Sequence, residues 1–192
     1  MLDQLLAIVK EHSQSAIITN PDIPNERNEE AISEVGNSIA GGLQGALASG
    51  QFKDVLKLLG GQGGDLNSNP LASQLSGNAV QSLMEKFGLN QSQAGGIVSN
   101  LLPSVLQNFV SKTNDPGDNS LDLQGIFSSL TGGATNNLNL QSLLGKVTQG
   151  GLDKDGDGDV DLNDVMNLVQ GGASQQSGGG GLMDMVKGIF GK

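Results

Sequence analysis

Six aspartates crowd into the twelve residues "DKDGDGDVDLND", Asp153 to Asp164. Carboxylates about 5 Å apart repel by roughly 0.8 kcal/mol even in water, and the only cation among these is Lys154. A hard divalent cation answers that repulsion. Calcium takes roughly six to eight oxygen ligands, and a one-on, one-off spacing turns alternate carboxylates toward one centre. The predicted ligands are Asp153, Asp155, Asp157, the main-chain carbonyl of Asp159, Asp161 through a water, and Asp164. Gly158 supplies the sharp turn, Val160 an apolar anchor, and "LNDVMNLV" an exiting helix closed by Gly171 and Gly172.

Counted from Asp153, these residues fall on ligand positions 1, 3, 5, 7, 9 and 12 of an EF-hand loop, with Gly158 at position 6. Starting two residues later would put Val160 where glycine is needed, so the register is well determined. Asp164 departs from the usual glutamate and, one methylene shorter, reaches less easily for bidentate binding. In this it resembles the Asp-ended loops of dockerin modules in secreted bacterial enzymes. A dockerin carries two binding loops and one is evident here, so cohesin docking does not follow. The competing reading of the segment is an acidic surface turn that binds nothing.

An EF-hand loop ordinarily has a partner. Shifted by 39 residues, "NDPGDNSLDLQGIFSSLTGG" overlies "DKDGDGDVDLNDVMNLVQGG", with Asn114, Asp118, Leu121 and Asp122 on positions 1, 5, 8 and 9. Pro116 and Gly125 remove the ligands at 3 and 12. Two readings stand: a degenerate, structural partner loop, or two ordinary turn-then-helix segments.

The elements that must position these loops read as helices. Leu2, Leu5, Leu6 and Val9 mark one face of an opening helix. Pro21 and Pro24 break the chain and favour extended backbone. A long helical pattern then begins near Glu29, in which Gly41 and Gly45 are spaced for close packing against another helix. "FKDVLKLLG" is a short amphipathic helix, and "GQGGDLNSNP" is a turn-rich link without the Gly-Lys-Ser/Thr ending of a phosphate loop. A helix ending at Gly88 precedes Asn90 and Gln93, which have the spacing of a reciprocal cap. The helix they open is expected to kink or restart at Pro103.

Helix, turn and helix also outline a DNA reader, yet Phe87 to Ser111 contains no Lys or Arg to hold phosphate. The net charge of −10 points the same way, toward cations or basic surfaces rather than nucleic acid. With no cysteine there is no thiolate chemistry and no disulfide framework. The single histidine, His12, sits near the end of the opening helix, where a cation complements the dipole, and this role is favoured over catalysis. Five phenylalanines are the only aromatics, so aliphatic side chains must build the core.

"LSGNAVQSLMEKFGLNQSQAGGIVSNLLPSVLQNF", with "SGQFKDVLKLLGGQ" before it and "NDPGDNS" after, resembles the bacterial YidB-like proteins, an all-helical family of uncharacterised function. The resemblance spans roughly Val35 to Leu130, implies a fold of packed short helices, and carries no site residues across. The aspartate loop lies beyond it.

The expected fold is therefore all-α: packed short helices, an EF-hand-like calcium loop, and a Gly-tethered final helix. The expected divisions are 1–28, an amphipathic helix and Pro-containing link; 29–133, the YidB-like domain; 134–172, the calcium-binding segment; and 173–192, a Gly-rich linker and amphipathic helix. In that last helix Leu182, Met185, Val186, Ile189 and Phe190 share one face, which can dock on its own domain, on another copy, or on a membrane surface. The expected function is a non-enzymatic, calcium-binding interaction or assembly module with a homo-oligomer as candidate partner. A peripheral membrane scaffold with a purely structural acidic loop is the alternative, and hydrolase chemistry has little support. The opening residues lack a basic region before a short apolar run, and no stretch is long enough to span a bilayer, so the default address is cytoplasmic, with non-classical export left open.

Overall fold

A computed structural model describes residues 1–117, 121–133, 135–136 and 139–147, with side chains to residue 145. Helices dominate, and no strand occurs among the described residues, so the all-α class holds. Helix α1 spans Leu2–His12, with Asp3 in its first turn and Lys10 in its last, both favourable to the helix dipole. It packs on both α2 (Asn28–Ala48) and α5 (Gln91–Thr113), burying Leu5, Ile8 and Val9. Leu5 and Val9 of the expected face are buried, and Leu6 lies against Gly36. Two partners draw in Ile8, while Leu2 stays 40% exposed.

The chain does not break directly after α1. One π-helical turn, Gln14–Ile18, buries Ala16 and Ile17 first. The Asn20 side chain then accepts from the Asp22 amide at 2.9 Å, Pro24 is extended at φ −59° and ψ 136°, and a 3₁₀ turn over Asn25–Arg27 leads into α2. Helix α2 starts where its pattern begins and is the central element, packed against α1, α4 (Pro70–Phe87), α3 (Phe52–Leu59) and α6 (Leu123–Leu130).

Close approach occurs in α2, but not at the expected glycines. Gly41 and Gly45 are exposed, with no atom within 4 Å of where a Cβ would stand. A Cβ at Gly36 would overlap a Leu6 methyl, and one at Gly42 a Leu75 methyl. The four-residue spacing of Gly41 and Gly45 therefore marks no helix contact, because α1 and α4 lie on another side of α2, against Gly36 and Gly42.

Caps define the remaining elements. Asn69 Oδ1 accepts from the Ala72 amide at 3.1 Å with Pro70 at the first helical position, and Gly88 closes α4 at φ +68°, where glycine is favoured. Asn90 and Gln93 form the expected reciprocal cap, at 3.0 and 2.9 Å. Helix α5 does not restart at Pro103; it runs on to Thr113. Pro103 cannot donate to the Ser99 carbonyl, so that rung of the helix is missing. The Asp122 carboxylate caps α6, and α7 (Leu140–Val147) packs on α3 with Leu144 against Gly60. One hydrophobic core joins all of these, from Leu5 in α1 to Leu144 in α7, with Phe52 and Phe127 rings tilted at 5.2 Å. No described helix is long and apolar enough to cross a membrane.

Candidate functional site

The six predicted ligands Asp153, Asp155, Asp157, Asp159, Asp161 and Asp164 lie outside the described residues, as do Gly158, Val160 and the helical pattern ending at Gly171 and Gly172. The apolar face from Leu182 to Phe190 lies outside them too. Helix α7 is the last described element before the acidic run. Among the described residues, no group of three or more His, Asp or Glu side chains is arranged to hold a metal ion.

The upstream segment that overlies the acidic loop can be followed for most of its length. Asn114 ends α5, and its side-chain amide donates to the carbonyls of Leu59 at 2.8 Å and Val110 at 2.7 Å. This ties the end of α5 to the end of α3. Asp115 accepts from the Gly117 amide at 2.8 Å, closing a tight turn. Asp122, at the ninth loop position, accepts from the amide of Gly125, at the twelfth, also at 2.8 Å. Leu121 is buried and Asp118 lies outside the described residues. Asn114 and Asp122 thus serve as helix-end hydrogen-bonding groups in a connection between α5 and α6.

Among the described residues, a cluster of paired charges joins the start of α2 to the end of α4. Arg27 grips Glu30 with two hydrogen bonds, Nε to Oε2 at 2.8 Å and Nη2 to Oε1 at 3.1 Å, while Nη2 also reaches the Lys86 carbonyl at 3.1 Å. The guanidinium lies 4.2 Å over the Phe87 ring. Lys86 Nζ meets Glu34 Oε2 at 2.6 Å. Hydrogen bonding from Arg27 holds the Glu30 carboxyl below its ordinary range and raises the Arg27 guanidinium in turn; Glu34 likewise raises Lys86. Every carboxylate here is answered by a cation, so the cluster works as a clasp between two helices. Beside it, Gln93 Nε2 donates to Asp22 Oδ1 at 2.7 Å, and Lys10 pairs with Glu29 at 2.6 Å.

His12 is the last residue of α1, the position its helix-end role requires. Its Nε2 is enclosed without a hydrogen-bond partner.

The concave surfaces lie elsewhere. A cleft of about 350 Å³ opens between the turn carrying Gly61, Gly64 and Asp65 and the α5 residues Pro103 and Gln107. It adjoins a second of about 260 Å³ that shares Leu66, Asn67 and Pro103 and is bordered by Ser73, Ser76 and Ser99. A third, of about 230 Å³, lies where the end of α2 meets the start of α3 and the end of α6. The turn-rich link 61–70 thus forms one side of the first two clefts. Gly61 and Gly64, at φ +72° and +71°, line the first cleft, and Asn69 braces the segment, its side chain donating to the Gly63 carbonyl at 2.7 Å while capping α4. The Asn-Pro pair was the legible signal, since it marks a helix start that stiffens the turn before it.

No family model, curated protein or solved structure matches the chain.

Proposed function

We propose that this is a non-enzymatic, calcium-binding helical protein that acts as an interaction module. The observation that carries the reading is the register of Asp153, Asp155, Asp157, Asp159, Asp161 and Asp164 around Gly158 and Val160. Alternate oxygens, a glycine at the turn and an apolar eighth residue coincide in one twelve-residue frame, which an acidic turn without a ligand has no reason to assemble. Support also comes from the order of elements. Helix α7 is seated on α3 through Leu144 and Gly60, so an ordered loop following α7 would be coupled to the core by a packed helix rather than by a free linker.

In this reading calcium neutralises the loop's repulsion and orders it, and the ordered loop presents the helices beside it to a partner. The upstream segment 114–125 contributes structure and no strong site, because Asn114 and Asp122 are bound to backbone groups and Pro116 and Gly125 stand where ligands are needed. Calorimetric titration of the full chain with calcium is expected to give one site per chain, with a dissociation constant between about 10⁻⁷ and 10⁻³ M. Absence of binding over that range would defeat the reading. Two equivalent tight sites would show that the 114–125 segment had been misread.

A further inference from the structure

The 230 Å³ groove has a lining unlike that of the other clefts. Its walls are Leu47 and Ala48 of α2, Phe52 of α3 and Leu130 of α6, with Gln44 and Thr131 at its polar edges. No charged side chain lines it, whereas the larger cleft holds Asp65 and the second is edged by serines. Phe52 and Leu130 form a floor that is already buried, and Leu47 is half-buried above it. Along the same end of α2, Gly41 and Gly45 are exposed with open space above them. A helix laid there could approach the α2 backbone closely while its apolar side chains entered the groove.

The chain itself contains a segment of matching chemistry. Leu182, Met185, Val186, Ile189 and Phe190 recur at the three- and four-residue spacing of one helical face, with Asp184 and Lys187 off it. These residues lie outside the described ones. From these two observations we infer that the groove between α2, α3 and α6 is the intramolecular docking site for residues 182–190 of the same chain. Thirty-four residues separate Val147 from Leu182, including the run Ser177 to Gly181. Those intervening residues have a contour length of up to roughly 110 Å, well beyond the radius of gyration of about 15 Å for a core of this size. The segment can therefore reach the groove, and tethering holds it there at an effective concentration near the millimolar range.

The absence of cysteine makes the contact directly measurable. In the full-length chain, Ala48→Cys at the groove would be paired with Met185→Cys and treated with a short bis-maleimide. The control pair combines Met185→Cys with Ser99→Cys, at the edge of the second cleft. The expected result is an intrachain product formed roughly tenfold faster than in the control, because both pairs share one tether and only docking brings Met185 beside Ala48. Adding Gly45→Leu to the first pair should slow the reaction toward the control. That position has room for a side chain and sits in a helix, so circular dichroism should show the fold intact. Equal rates in the two pairs would overturn the assignment, as would indifference to Gly45→Leu. A product that is mainly a covalent dimer would also overturn it, by assigning the groove to a second copy.

Discussion

Gly41 and Gly42 are neighbours in α2, and their environments separate two effects of the same residue. Alanine at either position recovers about 0.5–1 kcal/mol of helix propensity. At Gly41 the new methyl meets open space, while at Gly42 it overlaps the fully buried Leu75, which has little room to turn. Subtracting one variant from the other removes the common propensity gain. We expect Gly42→Ala to be less stable than Gly41→Ala by about 1–3 kcal/mol, the usual cost of overpacking a core. Urea denaturation followed by circular dichroism measures the difference, and equal stabilities would mean that Leu75 yields freely.

At the scale of elements, the clasp of Arg27, Glu30, Lys86 and Glu34 links the start of α2 to the end of α4, residues far apart in sequence. Glu30 has a lowered folded pKa, so its contribution is present above the ordinary carboxylate range and disappears as pH falls through the folded value. Lys86 and Arg27 are raised, so their contributions hold through neutral pH and are lost only under strongly basic conditions. Arg27, Glu30 and Lys86 remain solvent-accessible, with only Glu34 largely covered, which keeps the effect small and sensitive to salt. Melting temperatures of the parent chain and Glu30→Gln, compared from about pH 5 to about pH 3, should converge as pH falls. A gap that stays constant over that interval would show that Glu30 acts through packing alone.

At the scale of the molecule, the acidic loop and the core form one thermodynamic system if calcium binds only the folded state. A hundredfold excess of calcium over its dissociation constant should then add roughly 2.7 kcal/mol. For a chain of this length that corresponds to about 5–10 °C in melting temperature. The double variant Asp153→Ala and Asp157→Ala removes the first and third of the alternating carboxylates. It is expected to melt at the same temperature with calcium or with a chelator. A calcium shift that survives in that variant would move the site elsewhere.

Local rules determined which parts of this chain are helical and where most helices begin and end. Asn69 before Pro70, Gly88 in the left-handed region and the Asn90–Gln93 cap are decided within a few residues, so they are legible before any tertiary contact is known. The aspartate register is local in the same way, because its proposed ligands all come from one twelve-residue stretch. Which face of a helix meets which neighbour is decided by elements distant in sequence. That is why Gly42 rather than Gly41 lies against α4, why Ile8 is buried and Leu2 is not, and why α5 continues through Pro103. The apolar groove escaped the sequence for the same reason: Leu47, Phe52 and Leu130 come from three helices, and only their packing creates the concavity between them.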